Sequence, residues 1–181
     1  MKTTKNLISL ALLLGVTLLP QLSYAQKITQ KSTNVKINGT STLHDWNMTS
    51  TQSNFTGTIS GNIITDVRFV MKAESLKSKE NAMDKNAYKA LQTSKYPELI
   101  FTTASLPASG TASITGNLTI ANVTKTVKIP VTVTKTGASY SIKGNAKIKM
   151  STFGVKAPTF MMGTIKTGDD LSIDITINAA N

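Results

Sequence analysis

The chain has 181 residues, carries a formal charge of +11, and contains one histidine, one tryptophan and no cysteine. This length suits one domain with a sizeable core. The lack of cysteine excludes a disulfide framework, a cysteine-based metal centre, a cysteine nucleophile and a lipid-anchored cysteine. A single histidine excludes a multi-histidine metal centre.

The first 25 residues have the pattern of a secretory signal peptide. Lys2 and Lys5 precede an apolar stretch, and Ser23-Tyr24-Ala25 places small residues at the −3 and −1 positions of a cleavage site. The apolar stretch is shorter than the roughly 20 residues of a membrane-spanning helix. We therefore expect cleavage after Ala25, export to a bacterial periplasm, and a mature domain over 26–181 whose formal charge is +9 because both lysines are removed.

The rest of the sequence alternates apolar and polar residues with the period of β-strands. Five turn signals punctuate it: Asn38-Gly39, Gly61-Asn62, Ser109-Gly110, Thr136-Gly137 and Thr167-Gly168-Asp169. No long helix follows any strand, which excludes a parallel sheet built from strand–helix–strand crossovers. We predict an all-β fold, a single antiparallel barrel of about eight strands, because closure removes the edges of such a sheet.

One segment, Asp84–Gln92, is predicted to be helical. Met83, Ala87 and Leu91 recur at intervals of four residues, and Asp84 suits the positive end of a helix. The segment lies between two predicted strands, so we expect this short helix to cover one opening of the barrel.

The inward positions decide whether the barrel is solid or hollow. Several of them are small, namely Gly57, Gly116, Gly144 and Ala146. Such residues either permit coiling of the strands around a solid core or leave a lumen for one small ligand. The other inward residues are apolar, so a ligand in such a lumen would itself be apolar.

Candidate catalytic groups are few. His44 and Asp45 are adjacent, and neighbours on a strand point to opposite faces, so they are not expected to form a catalytic pair. The sequence has no Gly-x-Ser-x-Gly nucleophile turn. In a strand, His44 and Trp46 would share a face, where Trp46 would either anchor the first strand or line a ligand site. We predict no catalytic residue, no metal ligand and no cofactor.

The segment Phe160-Met161-Met162 stands in a predicted loop, Thr152–Gly168, that is apolar for a loop. It is interpreted either as a plug packed on the end of the barrel or as an adaptable mouth for an apolar ligand, since methionine fits irregular shapes.

The positive charge also has alternative explanations. Lys143, Lys147 and Lys149 form an outward row on one predicted strand. They either form a solvated face or attract anionic lipid headgroups, at about 1 kcal/mol per lysine. A nucleic acid would need exposed aromatic residues for stacking, whereas the aromatic residues here alternate inward, so we predict no nucleic-acid partner.

Four stretches, in this order, resemble the YceI-like lipid- or polyisoprenoid-binding family. They are residues 39–46, residues 86–102, residues 116–131, and Phe153-Gly154 leading to Gly168-Asp169. The third is the most specific, with a Gly-x-Leu-Thr-Ile strand, a Val-Thr-Lys turn and an apolar return strand. One departure is Asn122, where family members usually carry glycine.

The resemblance implies an extended lipocalin-like barrel whose tunnel takes an isoprenoid or other amphiphilic chain, in an envelope protein without enzymatic activity. The residues expected to bind this ligand are the inward apolar row, with Trp46 and Phe160 nearer a mouth: Trp46, Phe55, Phe69, Phe101, Leu118, Ile120, Val131, Ile142 and Phe160. The alternative is a structural or interaction protein of the envelope with a filled barrel and no ligand.

Overall fold

The computed structural model describes residues 25–181, so the predicted signal peptide, apart from Ala25, lies outside the described residues. The strands are β1 Gln26–Ser41, β2 Trp46–Ser50, β3 Ser53–Ser60, β4 Ile63–Lys72, β5 Glu98–Pro107, β6 Gly110–Ile120, β7 Val123–Thr136, β8 Ser139–Lys149, β9 Thr159–Phe160 and β10 Ile165–Ala180. Within this part of the chain there is one α-helix, α1, Asn81–Leu91. Three short 3-10 turns are Ala73–Ser75, Met150–Phe153 and Met161–Gly163.

Eight of the strands form a closed antiparallel barrel. Their order is β1-β3-β4-β5-β6-β7-β8-β10, and β10 pairs back with β1. The short β2 pairs with Val35–Gly39 of β1, and β3 pairs with Gln26–Thr29 of β1, so β2 and β3 lie end to end along the same edge. The predicted all-β fold, an extended antiparallel barrel of eight strands with one helix, is confirmed.

Two of the predicted turns are wrong, because both glycines mark close approaches within strands. Asn38-Gly39 lies inside β1, where the Trp46 ring occupies the space of a side chain at Gly39. Thr167-Gly168-Asp169 lies inside β10, where the Thr40 hydroxyl occupies the corresponding space at Gly168. Glycine in a strand allows such contacts as readily as it allows a turn.

The predicted loop Thr152–Gly168 is accordingly shorter and more ordered than expected. It contains β9, whose Phe160 pairs with Ile165 at the start of β10. The three other glycine-containing turn signals do separate strands, at the β3–β4, β5–β6 and β7–β8 connections.

Helix α1 begins three residues before the predicted start. Its Asp84 carboxylate reaches back and accepts hydrogen bonds from the backbone N–H and hydroxyl of Ser78, both at 2.7 Å. Gln92 is the C-cap in a left-handed conformation (φ 52°) and not the last helical residue. The predicted stripe of Met83, Ala87 and Leu91 packs against buried residues at one end of the barrel.

The opposite end of the barrel is solid. Ile28, Phe55, Ile64, Val133 and Tyr140 are almost completely buried there and form one cluster. This end, from which the helix is absent, is called the closed end below.

Candidate functional site: an apolar cavity beneath the helix

A cavity of about 300 Å³, the outer chamber, lies between α1 and the barrel. Its walls come from the helix, from strand ends and from the turn Met150–Phe153. Its polar and ionisable wall residues are Ser41, His44, Glu80, Asn86 and Thr167. We place the opening, called the mouth, where the exposed wall residues lie: Leu43 and His44 in the turn between β1 and β2, and Glu80 before α1, with residues 158–167 completing its rim. The volume falls at the lower end of the range for small-molecule sites.

A second cavity of about 110 Å³, the inner chamber, lies deeper in the barrel. Every residue that lines it is apolar. Four residues line both chambers: Ile37, Leu99, Ile120 and Ile173. The two chambers are therefore adjacent parts of one elongated apolar interior that narrows towards the closed end.

All nine residues expected to bind a ligand lie on the walls of this interior. The inner chamber is lined by Phe55, Phe69, Phe101, Leu118, Ile120, Val131 and Ile142. Trp46 and Phe160 line the outer chamber, as does Ile120. Their contact with a ligand stays a prediction.

Sequence reasoning missed the wall residues that α1 and the 3-10 turn contribute. Among them are Met83, Ala87 and Phe153. They stand outside the alternating strands that guided the prediction, although the four-residue spacing in α1 already indicated an apolar face.

The inward side chains of the middle of the barrel keep solvent-accessible surface. Phe69, Phe101 and Ile175 are only half-buried, whereas Ile28 and Ile64 at the closed end have no exposed surface. Because Phe69 and Phe101 point into the barrel, where they line the inner chamber, we attribute their remaining surface to the cavity. The barrel is therefore solid at one end and hollow at the other.

The small inward residues also differ in whether the space beside them is filled or open. A side chain at Gly116 would overlap the Phe101 ring and approach the Thr102 carbonyl oxygen to 2.6 Å, so the space beside this glycine is filled. Gly144 and Ala146 instead line the inner chamber. A Cβ atom at Gly144 would meet only side-chain methyl groups, the nearest at 3.2 Å.

The segment around the single histidine is a turn and not a strand. The Ser41 hydroxyl accepts hydrogen bonds from the backbone N–H groups of Leu43 and His44, at 3.2 and 3.1 Å. His44 therefore precedes β2, and the strand face that it was expected to share with Trp46 does not exist, although both residues line the outer chamber. Among residues 25–181, no group of three or more histidine, aspartate or glutamate side chains could hold a metal ion.

A hydrogen-bonded network holds α1 over the outer chamber. Asp84, which is buried, binds Ser78 and lies 3.7 Å from the Lys77 ammonium nitrogen. The Tyr88 hydroxyl accepts from Lys77 at 2.6 Å and donates to the Leu76 carbonyl oxygen at 2.7 Å. These contacts, the hydrogen bond to Tyr88 first, raise the pKa of Lys77.

A second set of polar contacts fixes the turn Met150–Phe153 on the other side of the chamber. The hydroxyl and backbone N–H of Ser151 donate to Asp169 at 2.5 and 2.8 Å, and these bonds lower the pKa of Asp169. Lys149 forms an ion pair with Asp170 at 2.8 Å, which raises the pKa of Lys149. Of the predicted outward row of lysines, Lys149 is thus paired, while Lys143 and Lys147 are exposed on the barrel wall.

A closed antiparallel barrel with an apolar interior and a helix over one end defines a lipocalin-like barrel. The sequence model of the YceI-like domain matches residues 24–179. The chain therefore belongs to the YceI-like domain family.

Solved structures show the same fold at low sequence identity. BcnA of Burkholderia cenocepacia superposes with a TM-score of 0.69 at 20% identity, over 81% of this chain and 95% of that one. A polyisoprenoid-binding domain from Saccharophagus degradans, implicated in plant cell wall breakdown, gives 0.64 at 12% identity, over 84% and 97%. The YceI protein of Campylobacter jejuni gives 0.54 at 21% identity, over 65% and 73%. No curated protein sequence matches significantly, and no helix within residues 25–181 is long and apolar enough to cross a membrane.

Proposed function

We propose that this protein binds and carries an apolar lipid, an isoprenoid or another long-chain amphiphile, in the bacterial periplasm. The observation that carries the proposal is the elongated interior, whose inner chamber is lined by apolar residues alone. Membership of the YceI-like family supports the proposal, as does the similar fold of a domain described as polyisoprenoid-binding. Binding of this kind needs no catalytic group, and we propose no enzymatic activity.

In this proposal the ligand lies with its tail in the inner chamber and its polar end at the mouth. The polar and ionisable residues of the rim, Ser41, His44, Glu80 and Thr167, are the groups there that could hydrogen-bond a polar end. Each buried methylene contributes about 0.8 kcal/mol, so affinity should rise with chain length until the interior is full.

The periplasmic location rests on the predicted signal peptide, and the charge suits a site near anionic lipid. Lys143 and Lys147 point outward from β8. A membrane whose surface is anionic would attract them, at about 1 kcal/mol per lysine close to the surface.

A second candidate is an envelope structural or interaction protein with no ligand. The observation in its favour is the small volume of the inner chamber, about 110 Å³, beside a Gly116 whose space the Phe101 ring already fills. On this view the chambers are packing defects beneath the helix.

Mass spectrometry of organic extracts of the purified protein separates the two candidates. We expect a lipid in near-stoichiometric amount, or uptake of added isoprenoid by the delipidated protein. Because Trp46 is the single tryptophan and lines the outer chamber, its fluorescence reports occupancy directly. Lipid-free extracts, together with unchanged Trp46 emission on addition of isoprenoids, would favour the second candidate.

A matched pair of variants on α1 makes the fluorescence test specific. Ala87 lines the outer chamber, whereas Ala82 is exposed on the same helix. We expect Ala87→Phe to reduce isoprenoid binding by narrowing the chamber, and Ala82→Phe to bind like the parent protein. Equal binding by all three proteins would contradict a ligand in this chamber.

A further inference from the structure

Large hydrophobic side chains are rarely exposed in this barrel, and the two most exposed of them lie at the mouth. In the described part of the chain they are Met162, which is fully exposed, Leu43 at 67% and Ile63 at 45%. Ile63 lies at the closed end, in the hairpin between β3 and β4. The two most exposed residues, Leu43 and Met162, belong to the two turns that form the rim of the mouth.

Hydrogen bonds join the turn of Leu43 to β10. The backbone N–H of Thr42 donates to the Lys166 carbonyl oxygen at 3.0 Å, and the backbone N–H of Lys166 donates to the Thr42 hydroxyl at 3.2 Å. The second turn, Met161–Gly163, lies between Phe160 and Ile165, which pair with each other and line the outer chamber. The two turns therefore stand on one continuous rim.

The backbone at Met162 makes this residue unexpected at a solvated turn. Its φ is 57°, in the left-handed region that favours glycine and asparagine and costs other residues roughly 1–2 kcal/mol. A methionine here carries both this conformational cost and a fully hydrated apolar side chain. Burial of the Met162 side chain in another apolar phase would offset the cost of hydrating that side chain.

Three exposed lysines are immediate sequence neighbours of residues that line the outer chamber. Lys166 follows Ile165, Lys156 follows Val155, and Lys79 precedes Glu80, and all three lysines are exposed. Each of the neighbouring residues lines the outer chamber. Apolar tips with exposed lysines on the neighbouring segments match the chemistry of an anionic bilayer surface, where apolar side chains enter the interface and lysines meet the headgroups.

We propose that the mouth docks on an anionic lipid bilayer, with Leu43 and Met162 inserted into the interface and Lys79, Lys156 and Lys166 on the headgroups. Docked in this way, the outer chamber opens onto the bilayer, so an apolar chain moves between membrane and cavity without crossing water. This orientation extends the proposed lipid-binding function and differs from side-on attachment through Lys143 and Lys147.

Binding of the mature protein to vesicles tests the docking surface. We expect the protein to sediment with vesicles of phosphatidylglycerol and phosphatidylcholine, and far less with phosphatidylcholine alone. Leu43→Ser combined with Met162→Ser should weaken binding to the anionic vesicles by at least about tenfold. Ile63→Ser, the matched control at the closed end, should leave it within about twofold.

The fluorescence of Trp46, which lies beside the mouth, reports the orientation of the docked protein. With the mouth against the bilayer, lipids brominated near the headgroup end of the acyl chain should quench Trp46 fluorescence. Lys143→Ala combined with Lys147→Ala should retain that quenching. Two results would overturn the proposal. One is vesicle binding that is lost in the variant with Lys143→Ala and Lys147→Ala but kept in the variant with Leu43→Ser and Met162→Ser. The other is vesicle binding of the unaltered protein without quenching of Trp46.

Two further measurements keep the outcomes distinct. Light scattering of the unaltered protein distinguishes membrane docking from self-association. A dimer that dissociates in the variant with Leu43→Ser and Met162→Ser, together with no vesicle binding, would overturn the proposal. Mass spectrometry of lipid extracts from the unaltered protein tests the proposed carrier function separately, because vesicle binding is measured whether or not the cavity holds a lipid.

Discussion

The ring of Trp46 covers Gly39 on the inner surface of the barrel. A Cβ atom at Gly39 would overlap the ring, whose Nε1 also donates a hydrogen bond to the Thr40 carbonyl oxygen at 2.9 Å. The two residues are paired across β1 and β2. The only tryptophan of the chain thus packs at the start of β2, beside the mouth, in the space that a side chain at Gly39 would otherwise occupy.

Gly39→Ala should displace the Trp46 ring and destabilise the fold. We expect the free energy of unfolding to fall by about 1–3 kcal/mol, as for other overpacked positions, together with a shift in tryptophan emission. Asn34→Ala, at an exposed position of the same strand, is the control. Urea unfolding followed by circular dichroism measures the change, and an unaltered midpoint for Gly39→Ala would show that the ring has room to move.

Asp84→Ala should loosen α1 before it loosens the barrel. The substitution removes the acceptor for the Ser78 backbone N–H and hydroxyl, and an unpaired buried group costs about 1–3 kcal/mol. Hydrogen exchange should therefore accelerate in 81–91 while the strands stay protected. Lys85→Ala, on the exposed face, is the control. Uniform acceleration in strands and helix would mean that α1 and the barrel unfold as one unit.

Stability should depend on pH through Asp169. Its hydrogen bonds to Ser151 hold the pKa of this carboxyl below its ordinary value of 3.8. The group therefore stabilises the folded state above pH 3.8, and this contribution is lost as the pH falls through the lower native pKa. The difference in urea midpoint between the parent and Asp169→Ala should be present at neutral pH and shrink at acid pH. A difference that stays constant would contradict this linkage.

Two inward glycines should respond differently to the same change. Gly116→Ala forces the added methyl group against the Phe101 ring and the Thr102 backbone, and we expect a loss of about 1–3 kcal/mol. Gly144→Ala meets only methyl groups beside the inner chamber, so its effect on stability should be smaller. Thermal unfolding of the two variants provides the comparison, and equal losses would indicate that the inner chamber is already filled.

The alternation of residues along the chain was enough to predict the barrel and the direction in which its side chains point. The period of two places Phe55, Phe69 and Phe101 in the interior because apolar residues recur at alternate positions of their strands, and all three line the inner chamber. The four-residue spacing of Met83, Ala87 and Leu91 likewise predicted the face that α1 presents to the barrel. Such patterns are local, so they can be read without knowledge of the partner strand.

Which glycines make turns and which receive a neighbouring ring depends on partners that are distant in sequence. Gly39 is explained by Trp46 and Gly168 by Thr40, across strand pairings that a single sequence does not reveal. The hollow interior has the same origin. Gly116 and Gly144 look equivalent in the sequence, yet only Gly116 has an aromatic ring against it.

The barrel is closed by pairing between its first and last strands, with Thr29 opposite Ala180 and Gly39 opposite Leu171. Before β10 pairs with β1, the apolar interior of the sheet is open along one side. This last pairing joins segments from the two ends of the mature chain, which are far apart in sequence. Such non-local pairing makes folding slow. A lipid present during folding can therefore be enclosed as the seam forms, so protein refolded with lipid should be loaded without any passage through the mouth.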